Sequence, residues 1–290
     1  MRATTLLRGF VGVLCSFLAV GCGGGDDGDD GDAAPPDWSD WDGGCAGDPE
    51  GDLAAGTSWQ WQLTGAIDTG VDVEVYDIDL FNTDQAVIDA LHGAGRFVIC
   101  YFSAGTWEEW RDDAGEFPPE VIGNAMADWP DEKWLDVRAE AVRAIMGDRL
   151  DVAVAKACDG VEPDNMDGYL EDNDSGFDFD GFDQLDYNAF IAEEAHARGL
   201  SVGLKNDVDQ LVVLEPCYDW ALNEECFAYE ECDRYTPFVD AGKAVFHVEY
   251  VDDQAEGQDL ADEICDDPAI AGFSTLVKDW DLTAWRIACP

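Results

Sequence analysis

Basic side chains are scarce in this sequence: 15 Lys and Arg stand against 65 Asp and Glu in 290 residues, a formal net charge of -50. That balance excludes a nucleic-acid binder, whose phosphate contacts need the opposite sign. It also argues against docking on anionic lipid. A cationic partner and a solvated acidic surface remain as readings of the charge. Histidine is scarcer still. The three present are His92, His196 and His247, and no two cysteines form a Cys-x-x-Cys pair. No metal centre is therefore expected. Asp172-Asn173-Asp174-Ser175 is not followed by the spacing of a calcium-binding EF-hand. No Gly-x-Gly-x-x-Gly turn follows the first strand signal, so a dinucleotide-binding sheet loses support. No Gly-x-Ser-x-Gly elbow occurs, which removes that form of serine hydrolase. No cofactor is expected.

Long apolar runs are also missing. Phe10 to Val20 is too short for a comfortable membrane span, and with Arg2 and Arg8 before it residues 1–22 read as an export signal. Its end, Leu18-Ala19-Val20-Gly21-Cys22, resembles a bacterial lipoprotein signal, with Cys22 as the lipidated first mature residue. Plain secretion and a retained anchor helix are the alternatives. Residues 23–52 are mostly Gly, Asp, Ala and Pro, with 11 acids and no base. Such a segment buries too little apolar surface to order itself and reads as a disordered tether. Membrane attachment is thus expected only through a lipid on Cys22. Beyond Cys15 and Cys22, eight cysteines remain, an even number that suggests disulfides in an extracytoplasmic, oxidising compartment. Two pairings have a positional argument: Cys226 with Cys232, close on one loop, and Cys45 with Cys289, flanking the domain.

What is present from residue 53 to 290 alternates between strand and helix signals. Strands are expected at 58–63, 73–78, 96–102, 160–162, 201–204, 220–223, 244–249 and 271–277. Helices are expected at 85–92 with Asp84 as cap, at 137–147 after Asp136, and at 184–198 after Asp183, with shorter ones at 208–214 and 258–265. Eight strands joined by helices or long loops predict a single α/β domain, a (β/α)8 TIM-like barrel. A doubly wound sheet is the alternative.

Acids gather where those strands end. An apolar strand signal, Val152 to Ala157 and then Val161, runs into Asp159, Glu162, Asp164 and Asp167. Asp77, Asp79, Asp207, Glu224, Glu225 and Glu249 close other strands, and only Lys205 is an obvious basic partner nearby. Crowded, buried carboxylates raise one another's proton affinity, which yields the protonated acid beside an ionised partner that glycoside hydrolysis needs. Trp59, Trp61, Tyr76, Tyr101, Phe102, Trp107, Tyr169, Tyr250 and Trp280 lie at or beyond strand ends, where rings can pack on sugar C–H faces. His92 and His196 fall late in helices and read as surface groups, while His247 could line the barrel mouth.

Taken in order, Trp59-Gln60-Trp61-Gln62-Leu63, Tyr76-Asp77-Ile78-Asp79, Cys100-Tyr101-Phe102-Ser103-Ala104-Gly105, Gly160-Val161-Glu162-Pro163-Asp164-Asn165 with Asp167-Gly168-Tyr169, Gly203-Leu204-Lys205-Asn206 and Asn223-Glu224-Glu225-Cys226 resemble glycoside hydrolase family 114. The likeness runs in order over residues 58–250 and is expected to continue to the C-terminus. It implies a TIM-barrel endo-α-1,4-polygalactosaminidase acting on a cationic galactosamine-containing polysaccharide. It also implies a catalytic Asp and Glu, which fall on Asp164 and Glu224. Asp77, Asp79, Tyr101, Glu162, Asn165, Asp167, Lys205, Asn206 and Glu225 would hold substrate. A carbohydrate-binding surface lipoprotein without catalysis is the rival class.

Overall fold

The computed structural model describes residues 37–45 and 53–290. The signal segment, Cys22 and most of the expected tether lie outside the described residues. In chain order the elements are β1 (Trp59–Gln62), β2 (Val75–Asp79), α1 (Gln85–Gly93), β3 (Phe97–Ser103), β4 (Thr106–Glu108), β5 (Ile122–Ala125), β6 (Glu132–Leu135), α2 (Glu140–Ala155), β7 (Gly160–Asp164), α3 (Gly181–His196), β8 (Ser201–Lys205), α4 (Leu211–Leu214), β9 (Trp220–Glu224), α5 (Thr236–Asp240), β10 (Val245–Val251), α6 (Gly257–Ile264), β11 (Ser274–Asp279) and β12 (Ile287–Ala288).

All eight expected strands form. They pair in parallel in the order β1-β2-β3-β7-β8-β9-β10-β11, and β12 adds antiparallel to β11. The sheet curls until its edges meet. The Trp59 indole N–H donates to the Ser274 carbonyl at 2.8 Å, and the Leu63 and Thr64 N–H groups donate to the Leu282 carbonyl at 3.1 and 3.3 Å. This is the (β/α)8 TIM-like fold the alternation predicts.

Several local expectations change. Val152 to Ala155 end helix α2 rather than begin a strand. Met146, Leu150 and Ala153 face the core at helical spacing while Val152 and Val154 are exposed, so the apolar alternation is two faces of one helix turn. Helix α3 starts earlier than read, because Asp180 accepts from the Phe182 and Asp183 N–H groups and Asp183 returns a bond to the Asp180 N–H. Asp183 is therefore the third residue of a capping box, not the cap. The small antiparallel sheet β4-β6-β5, inserted between β3 and α2, was not foreseen.

Residues 37–45, read as part of the tether, pack on the folded body. Trp38 donates its indole N–H to the Asp209 carbonyl and meets Tyr169 and Phe182 edge-on, at 6.0 and 5.3 Å between ring centres. Cys45 is bonded to Cys217, not to Cys289, which pairs with Cys265. Trp38 carries the segment toward α3 and α4, while Cys289 follows β12 back beside α6. Cys100 pairs with Cys158, and Cys226 with Cys232 as expected. His196 is not a surface group, since its side chain is buried against Asp219 at 3.1 Å.

The barrel interior has two halves. Toward the N-terminal strand ends it is apolar: Trp59, Val75, Ile99, Trp220, Leu222, Phe246, Val248 and Leu276 form one buried cluster. Gly203 makes room there, because a Cβ on it would meet the Trp220 ring at 2.1 Å. Trp59, Trp61, Tyr76 and Phe102, counted among possible sugar platforms, are core residues. Toward the C-terminal ends the same inward faces carry charge.

Candidate active site

One ammonium organises the charged half. Lys205, the last residue of β8, is 2% exposed, and its Nζ lies 3.0 Å from Glu162 Oε1, 3.0 Å from Asp164 Oδ1 and 3.0 Å from Glu224 Oε2. It sits 4.8 Å from the centre of the Trp61 ring, the uppermost ring of the apolar half. Burial alone would lower its affinity for a proton. Asp164, Glu162 and Glu224 outweigh that and hold the ammonium well above the ordinary lysine value.

Asp164 and Glu224 end β7 and β9, one strand to each side of Lys205. Both remain partly open, their side chains 17% and 27% exposed. Asp164 Oδ1 also accepts from the Asn165 N–H at 2.8 Å, and Oδ2 accepts from the Tyr101 hydroxyl at 3.2 Å. Glu224 Oε2 accepts from Asn206 Nδ2 at 3.1 Å, and Oε1 accepts from the Tyr250 hydroxyl. Asn206 returns its Oδ1 to the Glu224 N–H at 3.0 Å. Burial would raise the Glu224 carboxyl, but Lys205 and these hydrogen bonds hold it below the usual range.

Three residues just past strands β7, β8 and β9, namely Asn165, Asn206 and Glu225, have positive φ of 62°, 49° and 65°. Asparagine tolerates this region because its side chain bonds locally, whereas glutamate is uncommon there. The turns aim Asn165 at Ser103 Oγ, 2.9 Å away, and Asn206 at Glu224. Gly105 permits the first turn, since a Cβ on it would overlap the Asn165 carbonyl oxygen.

Asp77 and Glu162 lie beneath this layer and are fully buried. Burial and the neighbouring Glu162 push Asp77 well above the carboxylate range, so it stays protonated. Burial likewise raises Glu162, to about 7, although Lys205 opposes it. Among the described residues no other group donates to the two Asp77 oxygens or to Glu162 Oε2, so the pair rests on the proton that Asp77 offers Glu162. These two acids support Lys205 from below and offer no surface to a substrate.

Asp79, Asp207 and His247 separate from the cluster, whereas Asp167 and Glu225 stay within the field of its carboxylates. Asp79 turns to Arg111, whose Nη1 and Nη2 reach its two oxygens at 3.0 and 2.9 Å, and Arg111 also holds Glu108. Asp207 bonds Asn188 Nδ2 at 2.8 Å and the Tyr169 hydroxyl at 3.2 Å. Burial and Asp167 push it well above its ordinary value. Asp167 is raised by burial and then by Asp164, to about 6. Glu225 is raised by burial, Glu249 and Glu224, to about 7. His247 does not reach the mouth; it is buried between Thr275 Oγ1 and Glu249 Oε1. Cys226, Cys232 and His247 converge, but the two sulfurs are bonded to each other and offer no thiolate to a metal.

Sequence reasoning missed Arg111 and Glu132. Glu132, on β6, accepts from Thr106 Oγ1 at 2.7 Å, and burial raises it to about 7. Only the three-residue spacing of Glu108 and Arg111 signalled any of this. Tyr250 was noted as an aromatic, but its bond to Glu224 was not.

Carboxylates and amides converging at the C-terminal mouth of a TIM-like barrel define a glycoside-hydrolase class of site. The sequence model of glycoside-hydrolase family GH114 matches residues 46–290, and the chain belongs to that family. A crystal structure of Aspergillus fumigatus Ega3 in complex with galactosamine is 44% identical, with a TM-score of 0.77, over 83% of this chain and 98% of that one. The glycoside hydrolase domain of PelA from Pseudomonas aeruginosa shares the fold at 13% identity, with a TM-score of 0.59, over 81% of this chain and 98% of that one. No curated protein sequence matches. The protein is a glycoside hydrolase.

Proposed function

We propose that this protein hydrolyses internal α-1,4 bonds of a galactosamine-containing polysaccharide, with Asp164 and Glu224 as the reacting pair. One observation carries the choice of residues: a single ammonium holds these two part-open carboxylates at 3.0 Å each, in the mouth of a family GH114 barrel. The 44% identical relative supports the sugar, since its structure holds galactosamine. The acidic mouth suits a sugar carrying an ammonium group. In this reading Asn165, Asn206, Asp167, Tyr101 and Glu225 line it. Asp77 and Glu162 act from beneath through Lys205.

Asp164, aligned by three donors, attacks the anomeric carbon as the bond to the leaving sugar breaks. Glu224 gives its proton to the leaving oxygen. It then takes one from the water that displaces Asp164. Glu224 is ionised at rest, so it must first gain a proton from solvent. A sugar lying over it excludes water and favours the neutral form. The two carboxyl oxygens on Lys205 are no more than about 6 Å apart, twice 3.0 Å, close enough for the retaining arrangement that this sequence of steps requires.

Defined galactosamine oligomers test this. Shorter oligomers should appear by mass, with the α-anomer formed first by NMR. First release of the β-anomer would replace retention with inversion, and no cleavage of any galactosamine polymer would overturn the function.

The four disulfides fit an oxidising, extracytoplasmic compartment. Attachment through a lipid on Cys22, with residues 23–36 as spacer, rests on the sequence. A Cys22→Ser protein should leave the membrane fraction with its activity intact, and a wild type found wholly in the medium would rule the anchor out.

A further inference from the structure

Trp280, just past β11, exposes 38% of its surface, yet the loop beneath it is closely braced. Asp279 accepts from the Thr283 N–H, the Thr283 hydroxyl and Gln254 Nε2 at 3.0, 2.6 and 2.6 Å. Lys278 is fully buried, and its Nζ donates to the Thr283 and Trp285 carbonyls at 2.7 and 2.8 Å. Burial pushes that ammonium down to about 7, so a costly group is spent on fixing this loop. The Leu282 carbonyl receives the Leu63 and Thr64 N–H groups, which ties the loop to the end of β1.

What this bracing presents is one indole face. The other is covered by Tyr250, with ring centres 4.2 Å apart and planes within 16° of parallel. The hydroxyl of Tyr250 donates to Glu224 Oε1. The open face is therefore one ring and one hydrogen bond from the carboxylate that handles the leaving oxygen. Asp279 and Asp281 flank it in sequence. A rigid ring set in negative surroundings attracts both the apolar face of a sugar and a cationic substituent on it.

We infer that Trp280, backed by Tyr250, is the stacking platform of a second sugar subsite beside Glu224, taking an amino-sugar unit of the polymer next to the one whose bond breaks. The inference rests on the proposed function and adds a specificity-determining residue to it. It also requires that Trp280 act by touching the polymer, not by merely holding Tyr250.

Kinetics of Trp280→Ala, Trp280→Phe and Tyr250→Phe on the polymer separate these roles. Trp280→Ala should raise KM about tenfold with kcat nearly unchanged, and Trp280→Phe should recover most of the loss. The pH profile of Trp280→Ala should match wild type. Tyr250→Phe should move the high-pH limb of kcat/KM upward, because removing a donor from ionised Glu224 raises its affinity for a proton. An unchanged KM in Trp280→Ala overturns the platform. So does a Trp280→Ala profile shifted like that of Tyr250→Phe, which would mean the indole only positions Tyr250. If the wild type cleaves nothing, the functional reading fails, and calorimetry with galactosamine oligomers decides the platform. Binding weakened about tenfold in Trp280→Ala then supports it, and equal binding overturns it.

Discussion

Toward the bottom of the barrel the inward faces are Val75 on β2, Ile99 on β3, Gly203 on β8, Leu222 on β9 and Val248 on β10. Two residues further along the same strands they are Asp77, Tyr101, Lys205, Glu224 and Tyr250. Side chains alternate with period two, so each strand shows the same face to both halves and changes only its chemistry. In the lower half any apolar shape that fills the space will serve, and its stabilisation scales with area removed from water. In the upper half every group needs a particular partner, and Asp77 and Glu162 remain incompletely satisfied. A sequence breaks the rules of core design where it performs chemistry.

The comparison breaks most visibly at the two reacting carboxylates. Asp164→Asn and Glu224→Gln should each lower kcat by about a thousandfold or more, with the circular dichroism and melting temperature of a folded protein. Near-normal turnover in both would show that the upper half does not carry its chemistry through this pair.

Much of this division is legible in the sequence. Six of the eight parallel strands, β1, β2, β7, β8, β9 and β11, are short runs ending in an acid, an amide or a lysine, and that punctuation locates the mouth of the barrel. What the sequence hides is depth and long-range pairing. Asp77 and Asp79 lie two apart and look equivalent, but the strand ends at Asp79 and its side chain swings to Arg111. That arginine arrives from the inserted β4-β6-β5 region, whose short strands alternate too weakly to be read. Glu162 and Asp164 also look equivalent, yet one is fully buried and the other part-open. Residues 37–45 look like more of the tether, and only two Trp and a Cys distinguish them.

The lower half is tested by removing volume. Trp220 is fully buried, packs edge-on to Phe246 at 5.4 Å and fills the space left by Gly203. Trp220→Ala should cost about 3–5 kcal/mol in urea unfolding, while kcat per folded molecule stays close to wild type. A large loss of kcat with little loss of stability would mean the halves are coupled and the division fails.

The smallest effect concerns pH, and only the upper half should show it. Burial, with Glu162 beside it, holds Asp77 protonated in the folded protein. Burial raises Glu162 and Glu132 to about 7. Unfolded, such groups release their protons near pH 4. Below that pH both states are protonated and nothing is lost. From about pH 4 to about pH 7 the unfolded chain holds fewer protons than the folded one, so stability falls as pH rises. The melting temperature should be higher at pH 5 than at pH 8. Repulsion among the surface acids acts in the same direction, so a local substitution is needed to separate the two. Asp77→Asn puts a permanently neutral amide, still able to donate to Glu162, where the acid is held neutral. It should raise the melting temperature at pH 8, leave it almost unchanged at pH 5, and so flatten the profile. If wild type melts no lower at pH 8, or if Asp77→Asn leaves the slope intact, the buried acids are not proton-linked and the upper half is stabilised by pairing alone.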